Sequence, residues 1–307
     1  MNSPVDLWIR ESNKRKALRS KTECYRLVDK LNLPIDIRID SLGDVLSFHY
    51  FSDAVPDDNI FEFIKSFAQH LEKPHWFLRQ MVNRGKDPNQ KTLWKSPDFP
   101  EPWSAIENEI TYIFKLNEGT SPGLFLDQRE RRNWVKHNSE NKTVLNLFGY
   151  TGGFSLAAAV GGAKKTITVD VGTKYIEWAK QNFEANALDV EQHEFWVVDA
   201  FDFLEGAIKR EHTFDLVICD PPSFSRSKTG VFKIERDYKL LLQYCAQVLN
   251  KNGQLIFSTN LEEWNQKDFE KKCGELAQEL HLKIINYPAP PTDFNNNILK
   301  TCLFQKE

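Results

Sequence analysis

Long apolar runs are absent from this sequence of 307 residues, and so is a typical targeting segment. No stretch approaches the roughly 20 apolar residues that a membrane-spanning helix needs. The first residues, MNSPVDLWIRES, lack the apolar core of a signal peptide. We therefore expect a cytoplasmic protein with no membrane partner.

Cysteine is scarce and irregularly spaced. The five cysteines, Cys24, Cys219, Cys245, Cys273 and Cys302, form no CxxC or Cys/His pattern. This spacing excludes a disulfide framework and the common zinc sites, so we predict reduced, mostly buried thiols and no bound metal.

An excess of positive charge is also lacking. Forty Lys and Arg residues stand against 43 Asp and Glu residues, which gives a net charge of −3 and no global attraction to nucleic acid. Basic residues concentrate in two stretches, Arg10–Arg26 and Arg129–Lys136. Each stretch fits either a local RNA-binding surface or a solvated face.

The N-terminal third has a mixed pattern. We predict a basic, partly ordered arm or helix at 1–19 and a small α+β domain at 20–118 on the substrate side. The elements predicted there are a hairpin of residues 33–39 and 45–50, a helix at 60–71, a surface loop at 84–102 and a strand at 110–116.

From residue 119 to the end, strands and helices alternate. After a helix at 128–135, the predicted strands are 144–148, 166–171, 195–199, 214–220, 254–258, 282–287 and 299–305, with helices at 156–160, 174–188, 234–249 and 268–280. This order predicts an α/β fold, a parallel sheet covered by helices on both faces. The last two strands, with no helix between them, predict an antiparallel hairpin at one edge of a seven-stranded sheet.

The stretch VLNLFGYTGGFS, residues 144–155, predicts a ligand site. An apolar strand ends at a turn containing Gly149, Gly152 and Gly153, and a helix follows. Glycines permit positive φ and close approach of the backbone to a ligand, and the helix N-terminus offers free N–H groups. The dinucleotide pattern GxGxxG and the phosphate-loop pattern are both absent. By itself, the turn fits a nucleotide-like ligand or a tight structural turn equally well.

Carboxylates close three successive strands. Ligands of doubly wound sheets lie beyond the carboxyl ends of the strands, where Asp170, Asp199 and Asp220 stand. We predict that Asp170 binds ribose hydroxyls and that Asp199 accepts from an adenine amino group, with Ala200 and Phe201 against the ring. Three carboxylates suit a nucleoside with a cationic tail better than a pyrophosphate. The alternative for Asp170 and Asp199 is a helix cap.

The sharpest motif is Asp220-Pro221-Pro222-Ser223-Phe224. Two prolines remove two backbone donors and fix φ, which predicts a rigid extended loop. Such a loop suits holding the edge of a planar base, with Phe224 stacking on it and Asp220 accepting from its N–H groups.

Residues 119–307 resemble the bacterial large-subunit ribosomal RNA methyltransferases that use S-adenosylmethionine. The motifs that carry the resemblance are GLFLDQR, NLFGYTGGFS, TVDV, VDAFDFL, CDPPSF and FSRSK…ERDY, and ECYRLVDKLNLPIDIRIDSLGD is more loosely similar to the family's central α+β domain. The resemblance implies a class I methyltransferase, Rossmann-like fold, S-adenosylhomocysteine as the product and ribosomal RNA or an assembly intermediate as the partner. No PUA-type RNA-binding domain precedes the matching region.

The resemblance also implies which residues contact the cofactor: Phe125, Gln128, Arg129, Phe148, Gly149, Thr151, Asp170, Asp199, Phe201 and Asp220. We predict that Tyr150, Gly152, Val171 and Ala200 complete this site. Arg129 alternatively fits an exposed salt bridge. The predicted catalytic residues are Asp220, Pro221, Pro222, Phe224 and Asn260, and Arg226, Lys228 and Arg236 are predicted to contact phosphates.

The target base follows from chemistry. Methylation of cytosine C5 requires a thiolate, and the cytosine-C5 members of the family carry a cysteine after the fifth strand, where this chain reads Phe257-Ser258-Thr259-Asn260. Strand alternation turns Cys219 away from the site. Guanine N7 has an in-plane lone pair and needs only positioning and desolvation. The stretch FSTN and the segment SFSRSK…FKIERDY resemble the guanine-N7 branch of the family more than the cytosine branch, and this resemblance implies guanine-N7 methylation. The alternatives are a cytosine-C5 enzyme or a catalytically silent RNA-binding assembly factor.

Overall fold

The structure is a computed structural model that describes residues 3–29, 35–81, 92–116, 121–226, 230–294 and 298–307, with the backbone alone at Arg226. The chain divides into two compact units. The first comprises Met1–Leu126 with Thr292–Asn295, and the second comprises Asp127–Pro291 with Asn296–Glu307.

The first unit mixes helices and sheet. Its elements are α1 (Pro4–Asn13), β1 (Cys24–Val28), β2 (Ile37–Leu42), β3 (Val45–Tyr50), α2 (Asp58–His70), β4 (His75–Gln80), β5 (Leu93–Lys95), β6 (Trp103–Glu107) and β7 (Ile110–Phe114). Strands β1 to β5 form one sheet in sequence order, and β6 and β7 form a hairpin. The β2–β3 pair is antiparallel as predicted, while α2 connects β3 to the parallel strand β4.

The structure decides two predictions for this unit. Of the arm or helix predicted at 1–19, it shows the helix α1, which begins at a capping box of Ser3 and Asp6. Its Trp8 is 1% exposed and packs on Phe48 and Phe67, so α1 belongs to the unit's core. The predicted surface loop at 84–102 contains strand β5, which pairs with β4, and residues 84–91 of that loop lie outside the described residues.

The second unit carries the alternating pattern. Its elements are α3 (Arg129–His137), β8 (Thr143–Leu147), α4 (Gly153–Val160), β9 (Lys165–Asp170), α5 (Thr173–Ala185), β10 (Glu194–Val197), α6 (Ala200–Lys209), β11 (Phe214–Cys219), β12 (Phe224–Arg226), β13 (Val231–Lys233), α7 (Ile234–Gln247), β14 (Leu249–Thr259), α8 (Gln266–Glu279), β15 (Leu282–Asn286) and β16 (Lys300–Lys306). The β12–β13 hairpin was not predicted, and α6 was expected only through the alternative in which Asp199 caps a helix.

The seven-stranded sheet of this unit has the order β10-β9-β8-β11-β14-β16-β15. Neighbours from β10 to β14 pair in parallel, and β16 runs antiparallel to both β14 and β15. The predicted class I methyltransferase fold, including its edge hairpin, is confirmed. Because β8 lies at the point where strand order reverses, the ends of β9, β8, β11 and β14 meet where such sheets bind ligands.

Candidate functional site

The glycine turn, which we define as Phe148–Gly152, follows β8 and contains three residues at positive φ. Phe148 and Tyr150 have φ of 55° and 48°, and Gly152 has φ of 74°. The Gly149 N–H donates to the Val169 carbonyl at 2.8 Å, and the Gly152 N–H donates to the Gly149 carbonyl at 2.8 Å. The turn is therefore a fixed, hydrogen-bonded structure that ends where α4 begins.

The glycines of this turn are required by packing inside the protein. A Cβ on Gly149 would lie 2.6 Å from Thr168 Cγ2, and one on Gly152 would lie 2.7 Å from Ala179 Cβ. Both distances are far inside normal contact. The prediction that glycines keep side chains out of a ligand's way is thus incomplete, because their first effect is to let β9 and α5 pack against the turn.

Asp170, at the end of β9, joins two loops. Its Oδ2 accepts from the Tyr150 N–H at 2.9 Å, and its Oδ1 accepts from the Gly172 N–H at 2.8 Å. Burial raises the pKa of Asp170, and these backbone donors oppose the rise. The alternative interpretation as a helix cap is wrong for Asp170, because α5 has Gly172 at its N-cap without a side-chain bond. Carboxylate oxygens have further lone pairs, so ribose hydroxyls remain possible partners.

Asp199 caps a helix, as the alternative interpretation predicted. Its Oδ1 accepts from the Phe201 N–H at 2.9 Å at the N-terminus of α6. The following Ala200 is buried, and the Phe201 ring lies 6.2 Å from the Phe232 ring. The contact of Asp199 with an adenine amino group stays a prediction.

The diproline loop, Asp220–Phe224, follows β11. Pro221 is buried and Pro222 is exposed, and the Phe224 ring is 48% exposed, available to a flat partner. The Ser223 hydroxyl donates to Oδ1 of the exposed Asn260 at 2.9 Å, across 37 residues of sequence. The loop and the end of β14 therefore meet, as the predicted catalytic set requires.

Asp220 itself is hydrogen-bonded to a side chain at the start of α3. The Gln128 side chain is 2% exposed, and its Nε2 donates to Asp220 Oδ2 at 2.9 Å. Burial raises the pKa of Asp220 to about 7, and the Asp127 carboxylate adds to the rise, while Gln128, Arg131 and Arg132 oppose it. A carboxyl poised near neutral pH is typical of active sites.

Arg131 is a residue of this site that the sequence interpretation missed. It is fully buried, and its guanidinium donates to the Thr301 hydroxyl (3.2 Å), the Pro288 carbonyl (3.0 Å) and the Asp127 carbonyl (3.3 Å). Burial lowers the pKa of this guanidinium. The only sequence signal is the spacing of Gln128 and Arg131, which places both on one side of a helical turn.

The remaining predicted residues lie as follows. Arg129 is 2% exposed with its Nε 3.3 Å from Glu130 Oε1, so the alternative of an exposed salt bridge is wrong. Phe148 packs on Phe232 at 5.6 Å between ring centroids, Thr151 is 1% exposed, and Val171 is 50% exposed. Phe125 belongs to the first unit and is 48% exposed.

The predicted phosphate contacts are only partly described. Lys228 lies outside the described residues, and Arg226 is described by its backbone alone. Arg236 is exposed, and its guanidinium binds the Asp237 carboxylate with a shortest distance of 2.6 Å, which raises the pKa of Arg236 and lowers that of Asp237.

The five cysteines are free and buried, as predicted. Burial and the neighbouring Cys245 thiol raise the pKa of Cys219, which makes its sulfur a poor nucleophile. In the parts of the chain that the structure describes, no three His, Cys, Asp or Glu side chains are grouped to hold a metal ion. No described helix combines the length and apolarity needed to cross a bilayer.

Comparison with known proteins shows the family of this chain. A sequence profile of S-adenosylmethionine-dependent methyltransferases matches residues 17–304. The chain belongs to this family. The protein SMU.776, crystallised in complex with SAH, superposes with a TM-score of 0.87 at 30% identity, covering 98% of this chain and 80% of that one.

Curated relatives of this methyltransferase have names that refer to ribosomal RNA. Ribosomal RNA large subunit methyltransferase K of Neisseria meningitidis is 37% identical over 226 residues, covering 73% of this chain and 61% of the relative. Methyltransferase K/L of Shewanella pealeana is 40% identical over 294 residues, covering 92% of this chain and 40% of the relative. The chain thus spans 40% to 61% of the length of these two relatives. The predicted resemblance is confirmed.

The residues present fit the cofactor of a methyltransferase of this family, S-adenosylmethionine. Carboxylates after β9 and β10, Asp170 and Asp199, suit its ribose hydroxyls and its adenine amino group. The bound cofactor supplies an electrophilic methyl group. Which residues contact it stays a prediction.

Proposed function

We propose that this protein methylates N7 of a guanine in large-subunit ribosomal RNA, with S-adenosylmethionine as the donor, in the cytoplasm. The names of the curated relatives support the RNA class. In this proposal the second unit performs the transfer and the first unit, with the domain predicted at 20–118, contributes to RNA binding.

The Ser223–Asn260 hydrogen bond is the observation that carries the choice of base. Because Asn260 Oδ1 accepts from Ser223, the Nδ2 group of Asn260 remains to donate to a substrate. Guanine carries the acceptor O6 beside N7, whereas adenine carries an amino donor at that position. A donor at Asn260 therefore favours guanine.

Asp220 and Phe224 complete this arrangement. In this proposal Asp220 accepts from the N–H groups on the other side of O6, and Phe224, whose 48% exposure supports the role, stacks on the base. N7 has no proton to lose, so the protein needs to hold its lone pair in line with the methyl group and to exclude water. No general base is required.

The buried Cys219 and the sequence Ser258-Thr259-Asn260 argue against cytosine C5. That reaction needs a thiolate beside C6 of the base, and the Cys219 side chain is fully buried against the thiol of Cys245.

The function is tested with ribosomal RNA from a strain that lacks the gene, incubated with the protein and labelled donor. Borohydride reduction followed by aniline should cut the labelled RNA at a single position, because 7-methylguanine is depurinated by this treatment. Label without strand cleavage would contradict guanine N7 and point to another base, such as cytosine at C5. The absence of label would indicate a silent assembly factor.

Asn260→Asp tests the contact with O6. The carboxylate would face the O6 acceptor without a proton to donate, so kcat/KM for the RNA should fall by about 10- to 100-fold, as for loss of a base-reading bond. Asn265→Asp is the matched control: Asn265 caps α8 through Oδ1, a bond that Asp also makes, so its kcat/KM should stay unchanged. Equal rates for both variants would remove Asn260 from the site.

A further inference from the structure

Gln128 is the residue whose structural role differs most from the role implied by family resemblance. Resemblance implies that it contacts the cofactor, whereas the structure places its Nε2 2.9 Å from Asp220 Oδ2, across 92 residues of sequence. The side chain is 2% exposed, so the bond is shielded from water. A shielded hydrogen bond to a carboxylate restricts that carboxylate more than one on the surface does.

The segment that carries Gln128 is itself anchored. Arg131, three residues later, is pinned by its bonds to Asp127, Pro288 and Thr301, and Thr301 Oγ1 lies 3.1 Å from Ser258 Oγ. The start of α3 is thereby tied to β16 and, through Thr301 and Ser258, to β14, the strand that pairs with β11 just before the diproline loop. Gln128 has little freedom to follow Asp220 if that carboxylate moves.

The two oxygens of Asp220 consequently have different surroundings. Oδ2 accepts from Gln128, whereas no donor among the described residues bonds Oδ1. The charged groups that act on this carboxylate are Asp127, Arg131 and Arg132 from the side of α3, and behind it lies the Cys219–Cys245 thiol pair between β11 and α7.

We propose that Gln128 is a positioning residue that binds one oxygen of Asp220 and leaves the other to accept a hydrogen bond from the target base. The inference rests on the proposed function, in which Asp220 receives N–H groups of guanine. It extends that function by naming the residue that orients the acceptor and keeps it ionised.

A pH dependence follows from this arrangement. Only the ionised carboxyl accepts at both oxygens, and the amide N–H of Gln128 stabilises that form. Methyl transfer should therefore increase as the pH rises through about 7, the pKa to which burial raises Asp220. Without the Gln128 donor, the same increase should occur at higher pH.

The test compares Gln128→Met, which keeps the volume and removes the donor, with Gln243→Met on the exposed side of α7. Methyl transfer to ribosomal RNA is followed from pH 5.5 to 9.5, and cofactor affinity is measured by calorimetry. The loss of a hydrogen bond to a charged group should raise the midpoint of Gln128→Met by about one pH unit, and the loss of orientation should keep kcat on the alkaline plateau below that of the unchanged protein at an unchanged melting temperature. Gln243→Met should match the unchanged protein.

Two outcomes would overturn the inference. An unchanged midpoint with weakened cofactor binding would make Gln128 a cofactor contact, and an equal loss of kcat at every pH with a lower melting temperature would make its role structural. The Asp220 pKa is measured separately by carbon NMR of labelled aspartate carboxyls, assigned with Asp220→Asn. This titration needs no RNA, so it tests the positioning role even if the protein transfers no methyl group to ribosomal RNA.

If Gln128→Met does not fold, Gln128→Glu replaces it in the same titration. A second carboxyl beside Asp220 should raise the Asp220 pKa further, by repulsion between like charges. An unshifted Asp220 titration in Gln128→Glu would contradict the proposed contact.

Discussion

Asp220→Asn should lower methyl transfer to ribosomal RNA by about 100-fold or more, with cofactor affinity retained within a few-fold. The amide cannot supply the charged acceptor at Oδ1, and its NH2 group would oppose either the base or Gln128 Nε2. Removal of one preorganised polar partner in a water-excluded site commonly lowers kcat by about 10²- to 10³-fold, which corresponds to about 2.7–4 kcal/mol. Initial rates with labelled donor, beside calorimetric titration of the cofactor, measure both quantities.

The same substitution should stabilise the fold at alkaline pH. The pKa of Asp220 is raised by burial from the ordinary carboxyl range to about 7, so the folded protein holds this proton more tightly than the unfolded chain does. Stability from this group is therefore greatest at acidic pH and is lost as the pH rises towards 7. A neutral Asn avoids that loss, so the melting temperature of Asp220→Asn at pH 8 should exceed that of the unchanged protein.

Asp202→Asn provides the control for both measurements, because Asp202 is an exposed carboxylate in the first turn of α6. Its activity should not change. If Asp220→Asn kept its rate on RNA, or lost cofactor binding in proportion to its rate, the placing of Asp220 on the substrate side would be wrong.

Local sequence pattern predicted those parts of the fold that depend on neighbouring residues. The strand ending at Asp170, the helix after Gly152 and the edge hairpin of β15 and β16 each follow from periodicity and turn chemistry within about 20 residues. The same local reasoning offered caps for Asp170 and Asp199 and was right only for Asp199. The difference arises because Asp170 bonds the Tyr150 N–H, a partner 20 residues away on another loop.

Long-range contacts were beyond the reach of the pattern. Gln128 and Asp220 are 92 residues apart, and Arg131 and Thr301 are 170 residues apart. One sequence carries no record of which distant side chains meet, so a buried arginine on α3 resembled a solvated basic stretch. Trp8 is a similar case. It lies next to a basic stretch of sequence, and the pattern did not indicate that its side chain is buried in the core.

Gly152→Ala should both destabilise the fold and weaken cofactor binding, and it has the largest expected effect on stability. Gly152 has φ of 74°, where an L side chain costs about 1–2 kcal/mol, and the new Cβ would lie 2.7 Å from Ala179 Cβ. The shifts that such overpacking forces on its neighbours typically cost about 1–3 kcal/mol more. We expect the free energy of unfolding to fall by about 2–5 kcal/mol, measured by urea denaturation.

Cofactor binding is affected because Ala179 lies on α5, which also holds the glycine turn. Asn182 of α5 donates to the Thr151 carbonyl at 2.8 Å, so a displaced helix pulls on the turn that leads into α4. Affinity for the cofactor should fall by at least about tenfold, since a mispositioned site loses roughly 1.4 kcal/mol or more.

Gly274→Ala is the matched control for this substitution. Gly274 lies inside α8, where an added Cβ meets nothing within 4 Å, so the change should stabilise the helix by about 0.5–1 kcal/mol and leave cofactor affinity unchanged. Two identical chemical changes should thus have opposite effects on stability, and the difference isolates the demand that the turn makes on its backbone. Equal stability of the two variants would mean that α5 can move away from the added Cβ at no cost in free energy. The turn would then not require a residue without a Cβ at position 152.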